Sequence, residues 1–390
     1  MIQHAQYVGT LRNLEKWCLF FMILAFPIMS MPKRFVIPFA SGQLYFAFLF
    51  LALLFFCIES GLSRKFDVPF WKWAVIWCGW IVICICAGLI IYPYPIDSSI
   101  FTGVRSWEIL SSYFPILQDS TSGMKTYLFV TLLGRAFKGE ILPFLGIFTL
   151  VIHLYKNQFR QGLLDIRRAA LILAVLMSVY SVPEIIWIAT DNSFCKDILI
   201  QLNPYLFDPG LSNGWWPPLL WYRALRSLCP EPSFFGILAI FILPFLWLWI
   251  LERWYIGKFL FLVYFTSMVF MTGSRTAMVI YLGEVVLLCI LAIWHRFPSW
   301  KNMLGIICSC TLIAFFIGAM VIPYAQRYFD INKHVTTTTT QFVEQNITSV
   351  TKSKGRSNNA RYGTTVAAIR IGMDHPITGV GRGMEKTLHD

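Results

Sequence analysis

The stretch FFGILAIFILPFLWLWILERWYIGKFLFLVYFTSMVFMTGSRTAMVIYLGEVVLLCILAIW, residues 234–294, decides how the rest of the chain must be read. Three apolar runs, 234–251, 259–273 and 277–294, are separated only by the short basic segment ERWYIGK and by the turn MTGSRTAM. Each run approaches the roughly 20 residues that a helix needs to cross the hydrocarbon of a bilayer. Similar runs lie at 17–31, 35–58, 73–92, 140–155, 169–189 and 303–323, giving about nine spanning segments. The fourth can extend back through TYLFVTLLGRAF. Composition agrees: 57% of residues are hydrophobic, 17% aromatic and 13% charged, with a mean hydropathy of +0.63. Such a surface faces lipid, so the expected fold class is an all-α polytopic membrane protein. The first run has no small-residue cleavage site after it and is followed by further spans, so it reads as a membrane helix and not as a removable leader.

Lys and Arg set the expected orientation. With the N-terminus in the cytoplasm, the inner segments 1–16, 60–72, 156–168, 252–258 and 295–302 carry 13 cations in 57 residues. The outer segments 32–34, 93–139, 190–233 and 272–276 carry 10 in 99. KNQFRQGLLDIRR, 156–168, is the strongest single indicator. Three long segments then face outward: 93–139, 190–233 and 324–390. The first two are rich in Pro, Trp and Tyr and read as packed against the bilayer surface or into the mouth of the bundle. The last opens with a polar, Thr-rich stretch and gains helical spacing after Ala360. The domain reading is a bundle over 1–323 with loops 93–139 and 190–233, followed by a large outer loop from 324. With that loop included, the outer face carries 19 cations against 12 acids. A basic outer mouth suits an anionic partner presented from the membrane, phosphate or pyrophosphate on a lipid, and disfavours nucleic acid.

Three constellations stand out. RALRSLCPEPSFFG, 223–236, sets Arg223, Arg226 and Glu231 just before a span, with the prolines of PEP fixing the backbone. Arginine forks bind phosphate oxygens, and a carboxylate beside them can orient an arginine or take a proton. The plainer alternative is interfacial snorkelling with an ordinary ion pair. MTGSRTAM places Arg275 at the outer membrane boundary, where a cation needs a partner or must snorkel. In the closing stretch, Arg361 and Gly372 are separated by ten residues. Gly379, Gly381 and Gly383 then alternate in DHPITGVGRG, which permits backbone amides to approach an anion. The acids Glu184 and Glu284 fall inside spans and read either as a proton path or as structural pairs. Of ten cysteines, eight lie in apolar runs, whereas Cys195 and Cys229 lie in a loop and have the option of pairing. No metal-ligand spacing is present, so neither a metal nor a cofactor is expected.

The order EPSFFG, GSRTA and HPITGVGRG, with long outer loops between spans, resembles the O-antigen ligase/polymerase superfamily of bacterial inner-membrane proteins, and most closely its O-antigen polymerases. The Arg361–Gly372 spacing resembles a motif of those polymerases. The resemblance implies a GT-C-like architecture. It also implies a periplasmic transfer between undecaprenyl-pyrophosphate-linked oligosaccharide repeat units, within surface polysaccharide assembly. Glu231, Arg275 and Arg361 would then be catalytic, with Arg223, Arg226, Arg275, Arg361, Gly372, Gly379 and Gly381 holding the pyrophosphate or glycan. Expected partners are the lipid-linked glycan, the bilayer, a chain-length regulator and other assembly proteins. The competing readings are a ligase that hands the glycan to lipid A-core, and a transporter or flippase. Members of the superfamily continue beyond the GVG motif, so a chain ending at Asp390 reads as cut within its large loop; no role passes to His375 or His389.

The charge bias makes a direct prediction about topology. Alkaline phosphatase fused after residue 213 is expected to be active, and fused after residue 160 inactive. The reverse pattern would invert the whole assignment.

Overall fold

In a computed structural model, the residues described are 2–29, 43–63, 71–91, 107, 112–114, 121–207, 219–221, 224–294, 300–321 and 323. Their regular structure is all helical, and among them there is no strand. The elements are α1 (Ile2–Ala25), α2 (Leu44–Ser63), α3 (Trp71–Ile91), α4 (Thr121–Ala136), a π-turn (Phe137–Ile141), α5 (Leu142–Tyr155) and α6 (Phe159–Thr190). They continue with α7 (Ser193–Leu206), α8 (Pro232–Glu252), α9 (Ile256–Met271), α10 (Arg275–Trp294), α11 (Trp300–Phe315) and a second π-turn (Phe316–Val321). In each of the nine expected runs, most of the described residues lie on a helix. Five helical stretches are long and apolar enough to cross a membrane: Leu44–Gly61, Lys72–Ile90, Ser122–Tyr155, Phe159–Thr190 and Pro232–Glu252. Shorter apolar helices accompany them, including Ile256–Met271 and Leu304–Met320. The protein is an all-α polytopic membrane protein. The fourth run does extend back, through the π-turn to Ser122.

Two helices begin earlier than their apolar runs. Helix α1 starts at Ile2, fifteen residues before the apolar run at 17, and α6 starts at Phe159, ten before the run at 169. For α6 the cause is local. Gln161 donates to Asp165 at 2.8 Å one turn on, Arg168 lies 3.9 Å from the same carboxylate, and Arg167 pairs with Glu252 of α8. The two local pairs on Asp165, i,i+4 and i,i+3, and the tie to α8 carry the helix past the hydrocarbon edge.

The chain divides into two compact units, one of Met1–Phe66 with Leu150–Thr336, the other of Asp67–Thr149 with Thr337–Asp390. In the second, α3 packs on α4 through Ile81, Ile85 and Leu89 against Met124, Tyr127 and Leu132. Trp107 meets Tyr127 edge-on at 4.9 Å. In the first unit, α1 packs on α2 and α6, α6 on α7 and α8, and α8 on α9 and α10; α11 with its π-turn packs against α9. Helix α8 buries Phe235, Ala239, Leu243, Leu246 and Ile250, one stripe at helical spacing, and turns Phe241 and Leu248 outward. The C-terminal half of α9 is enclosed: every residue from Phe265 to Met271 is buried, whereas Ile256 and Leu260 face outward. At 16 residues it spans only about 24 Å, and its burial among other helices removes the need for a full lipid-crossing length. Large outward-facing apolar side chains such as Trp73, Val179, Phe241, Val279 and Val286 would be costly in water and are at ease in lipid.

Close helix approach depends on small residues. A Cβ placed on Gly318 would lie 2.6 Å from the carbonyl oxygen of Ser267 and 2.8 Å from Phe270 Cβ. The π-turn therefore seats directly on the α9 backbone. Gly283 of α10 has open space at the same position. Gly318→Ala is thus expected to destabilise the protein by about 1–3 kcal/mol through overpacking. Gly283→Ala should be neutral or stabilising, by up to about 1 kcal/mol, through helix propensity. Melting temperatures of the two variants in one detergent check the contrast.

Candidate functional site

The site forms where the loop before α8 meets the turn between α9 and α10. Its foundation is Glu184, near the C-terminal end of α6 and 2% exposed. Its Oε1 accepts the backbone N–H of Arg226 at 3.1 Å, and its Oε2 accepts that of Ser227 at 2.8 Å. One carboxylate thus satisfies two consecutive amides that would otherwise be orphaned in a buried setting. Ser227 adopts φ +53°, a left-handed conformation uncommon for a residue with a side chain. Its hydroxyl donates to the Met177 carbonyl at 2.9 Å, which adds a second tie to α6. The N–H of Leu225 donates to the Met271 carbonyl at 3.1 Å and ties the loop to the end of α9.

Arg226 lies inside this loop, 1% exposed. Its Nη2 donates to the Leu219 carbonyl at 2.6 Å, and its guanidinium lies 4.4 Å from the centre of the Phe207 ring. Burial draws its pKa down, and the Glu184 charge nearby acts in the opposite direction. Asn203 of α7 donates to the same Leu219 carbonyl at 2.5 Å and accepts from the Tyr180 hydroxyl. Helix α7, which the sequence reading leaves as part of a loop, is therefore a structural brace. Asn192 caps its start by accepting the Cys195 N–H at 3.1 Å, and Cys195, Leu199 and Asn203 form its buried face.

Trp221 Nε1 donates to the Pro230 carbonyl at 3.0 Å as the chain approaches α8. Glu231 is the N-cap residue, extended at φ −142° and ψ 143°, and Pro232 follows at the first helical position. The Glu231 carboxylate is half-buried and accepts the Ser233 hydroxyl; it makes no side-chain cap to the helix backbone. Gly236 then brings EPSFFG against GSRTA. A Cβ there would sit 2.5 Å from Ala277 Cβ and 3.7 Å from both Ser274 Cβ and Thr272 Oγ1. In the turn itself, Gly273 adopts φ +64°, which only glycine takes freely. Thr272 Oγ1 accepts the Ser274 N–H at 3.0 Å, and Ser274 Oγ accepts the Ala277 N–H at 3.4 Å as the cap of α10. Arg275 is the first residue of α10 and is exposed.

The two helix starts, of α8 at Glu231 and of α10 at Arg275, therefore lie side by side, with their positive ends at one face. Two helix N-termini at one face present their amides and positive dipole ends together, which suits an anion. Of the residues expected from the sequence, Arg226, Glu231 and Arg275 fall in the described part and on these converging segments. Arg223, Arg361, Gly372, Gly379 and Gly381 lie outside the described residues, as do Gly383, His375 and His389. Cys195 and Cys229 do not pair: both are free and buried, and burial pushes the Cys229 thiol pKa up, which leaves it unreactive. Glu184 proves structural, through backbone amides. Glu284 of α10 keeps Oε2 buried with no hydrogen-bond partner among the described residues.

The left-handed residue offers a test of the loop. Ser227→Gly loses one buried hydrogen bond and relieves φ, for a cost of about 1 kcal/mol. Ser227→Val loses the bond and forces a β-branched side chain into φ +53°, for about 2–3 kcal/mol. Denaturation midpoints should rank native, Gly variant, Val variant.

No curated protein and no solved structure matches the chain significantly. Residues 259–389, from within α9 onward, match the family model described as O-antigen ligase. That segment begins just before the GSRTA turn and includes HPITGVGRG, two of the motifs on which the sequence resemblance stands. The match over residues 259–389 supports placing the chain in the O-antigen ligase/polymerase superfamily.

Proposed function

We propose that this chain joins oligosaccharide repeat units carried on undecaprenyl pyrophosphate, acting as an O-antigen polymerase at the periplasmic face of a bacterial inner membrane. The family match supports O-antigen ligase/polymerase-type activity in general. The observation that carries the finer reading is the meeting of the EPSFFG and GSRTA segments at Gly236 and Ala277, which sets Glu231 and Arg275 on adjoining helix starts. EPSFFG is commoner in the polymerases that the sequence resembles than in the ligases.

In the proposed reaction, a sugar hydroxyl of one repeat unit attacks the anomeric carbon of another. A new carbon–oxygen bond forms as the bond to the pyrophosphate oxygen breaks, and the lipid pyrophosphate leaves with the electron pair. Negative charge grows on that leaving group. In this reading Arg275, the first residue of α10, stabilises that charge from the positive end of the helix. Arg223 and Arg361 are proposed to complete the clamp, and Gly372, Gly379 and Gly381 to let backbone amides approach the phosphates. Arg226 serves the same site from inside: its buried guanidinium on Phe207 and Leu219 shapes the loop that presents Glu231. Glu231 orients an arginine or takes the hydroxyl proton. The proposed partners are the lipid-linked glycan and, within the membrane, a chain-length regulator and other assembly proteins.

Ligation to lipid A-core uses the same donor and the same charge chemistry, and differs in acceptor. Deleting the gene in a strain that makes O-antigen separates the two. The polymerase reading predicts lipopolysaccharide carrying a single repeat unit, whereas bare core alone would reverse it in favour of the ligase. Restoring the gene with Arg275→Ala should lower long-chain polymer at least tenfold while the protein level is kept, and unchanged polymer length and yield would remove Arg275 from the clamp.

A further inference from the structure

At the other end of the first unit, three ionisable side chains from distant parts of the chain converge. They are Glu15 of α1, Glu59 of α2 and His153 of α5. His153 is two residues before the end of α5, whose Tyr155 ring packs on Gly162 in the second turn of α6. The 22 residues from Gly162 to Glu184 put this cluster about 30 Å from the candidate active site. It takes no part in the transfer proposed above.

The ligand-capable atoms of the three residues lie within 4.8 Å of one another. His153 Nε2 is 3.1 Å from Glu59 Oε2 and 3.5 Å from Glu15 Oε2. Arg12 donates to the other oxygen of Glu59 at 2.8 Å and so holds Oε2 toward the histidine. Phe56 meets the His153 ring edge-on at 4.8 Å and fixes its plane. Glu15 is the unsatisfied member: its side chain is 0% exposed, and neither carboxylate oxygen receives a hydrogen bond among the described residues. A single Nε2–H cannot serve two carboxylates. A buried carboxylate without donors must either take up a proton, which Glu15 would then share with Glu59, or meet a cation.

Both distances from the histidine suit a small cation. Metal–ligand bonds of 2.0–2.1 Å in a tetrahedron place neighbouring ligand atoms about 3.3 Å apart. The two distances from His153 Nε2 bracket that value. Calcium, with longer bonds and six to eight oxygens, would spread the ligands further, and an imidazole ligand favours the zinc class over magnesium. We propose that Glu15, Glu59 and His153 bind one divalent cation of the zinc class, tying α1, α2 and α5 together, with water in the remaining position. The sequence shows no such site because its ligands are separated by 44 and 94 residues.

The test uses the full chain purified in detergent, stripped with a chelator and dialysed against Zn²⁺ or Mg²⁺, with bound metal measured by mass spectrometry. The expected result is about one zinc per chain, little magnesium, and a higher melting temperature with zinc. Glu15→Gln and His153→Asn should each weaken zinc binding at least tenfold and abolish the melting shift. Equal zinc content in the native chain and both variants, or no zinc above background in the native chain, would overturn the proposal. Should a variant fail to fold, Co²⁺ in the native chain decides: visible tetrahedral bands that zinc removes support the site, and their absence refutes it.

Discussion

The Glu184 carboxylate, held between two backbone amides, is the constraint on which the rest of the candidate site depends. A charge buried near the end of a membrane helix is expensive, and here it is matched by the one arrangement that uses both oxygens at once. The two amides belong to consecutive residues, which forces the chain to bend back at Ser227 in a left-handed conformation. That bend sends Arg226 inward onto Phe207 and Leu219 and sends the following residues toward α8. The position of Glu231 is therefore set from α6, more than forty residues earlier.

The opposite wall of the site is set by packing. Gly236 and Ala277 leave room for α8 and α10 to touch, and Gly273 lets α9 and α10 join through a turn of a few residues. Both walls rest on α9, which is buried over its last seven residues and accepts the loop through the Met271 carbonyl. Those seven residues are packed on every side by other helices, which fixes the end of α9 on which both walls rest. Rigid placement of charge is what stabilisation of a leaving anion requires.

Much of the fold was legible in the sequence because lipid imposes a simple rule: long apolar runs must be helices. The described parts of the nine runs are mostly helical, and the motifs EPSFFG and GSRTA fell on converging segments. Helix ends were less legible, since the early starts of α1 and α6 are polar and lie beyond the hydrocarbon. Helix α7 was hidden for a related reason: Cys195, Leu199 and Asn203 form a one-sided face, too short and too polar to read as a span. The role of Glu184 left no sequence signal, because its partners are backbone groups that every residue possesses. RALRSLC gave no hint that Arg226 turns inward, and nothing linked Glu15, Glu59 and His153. These are contacts between distant segments, visible only once the helices are assembled.

Hydrogen–deuterium exchange of the Glu184→Ala variant in detergent tests the central dependence most directly. If the carboxylate organises the loop, amides in the segment 224–236 will exchange at least tenfold faster than in the native chain, while those of α9 stay protected. Native protection across 224–236 in the variant would show that the loop is held by other means and would contradict the account.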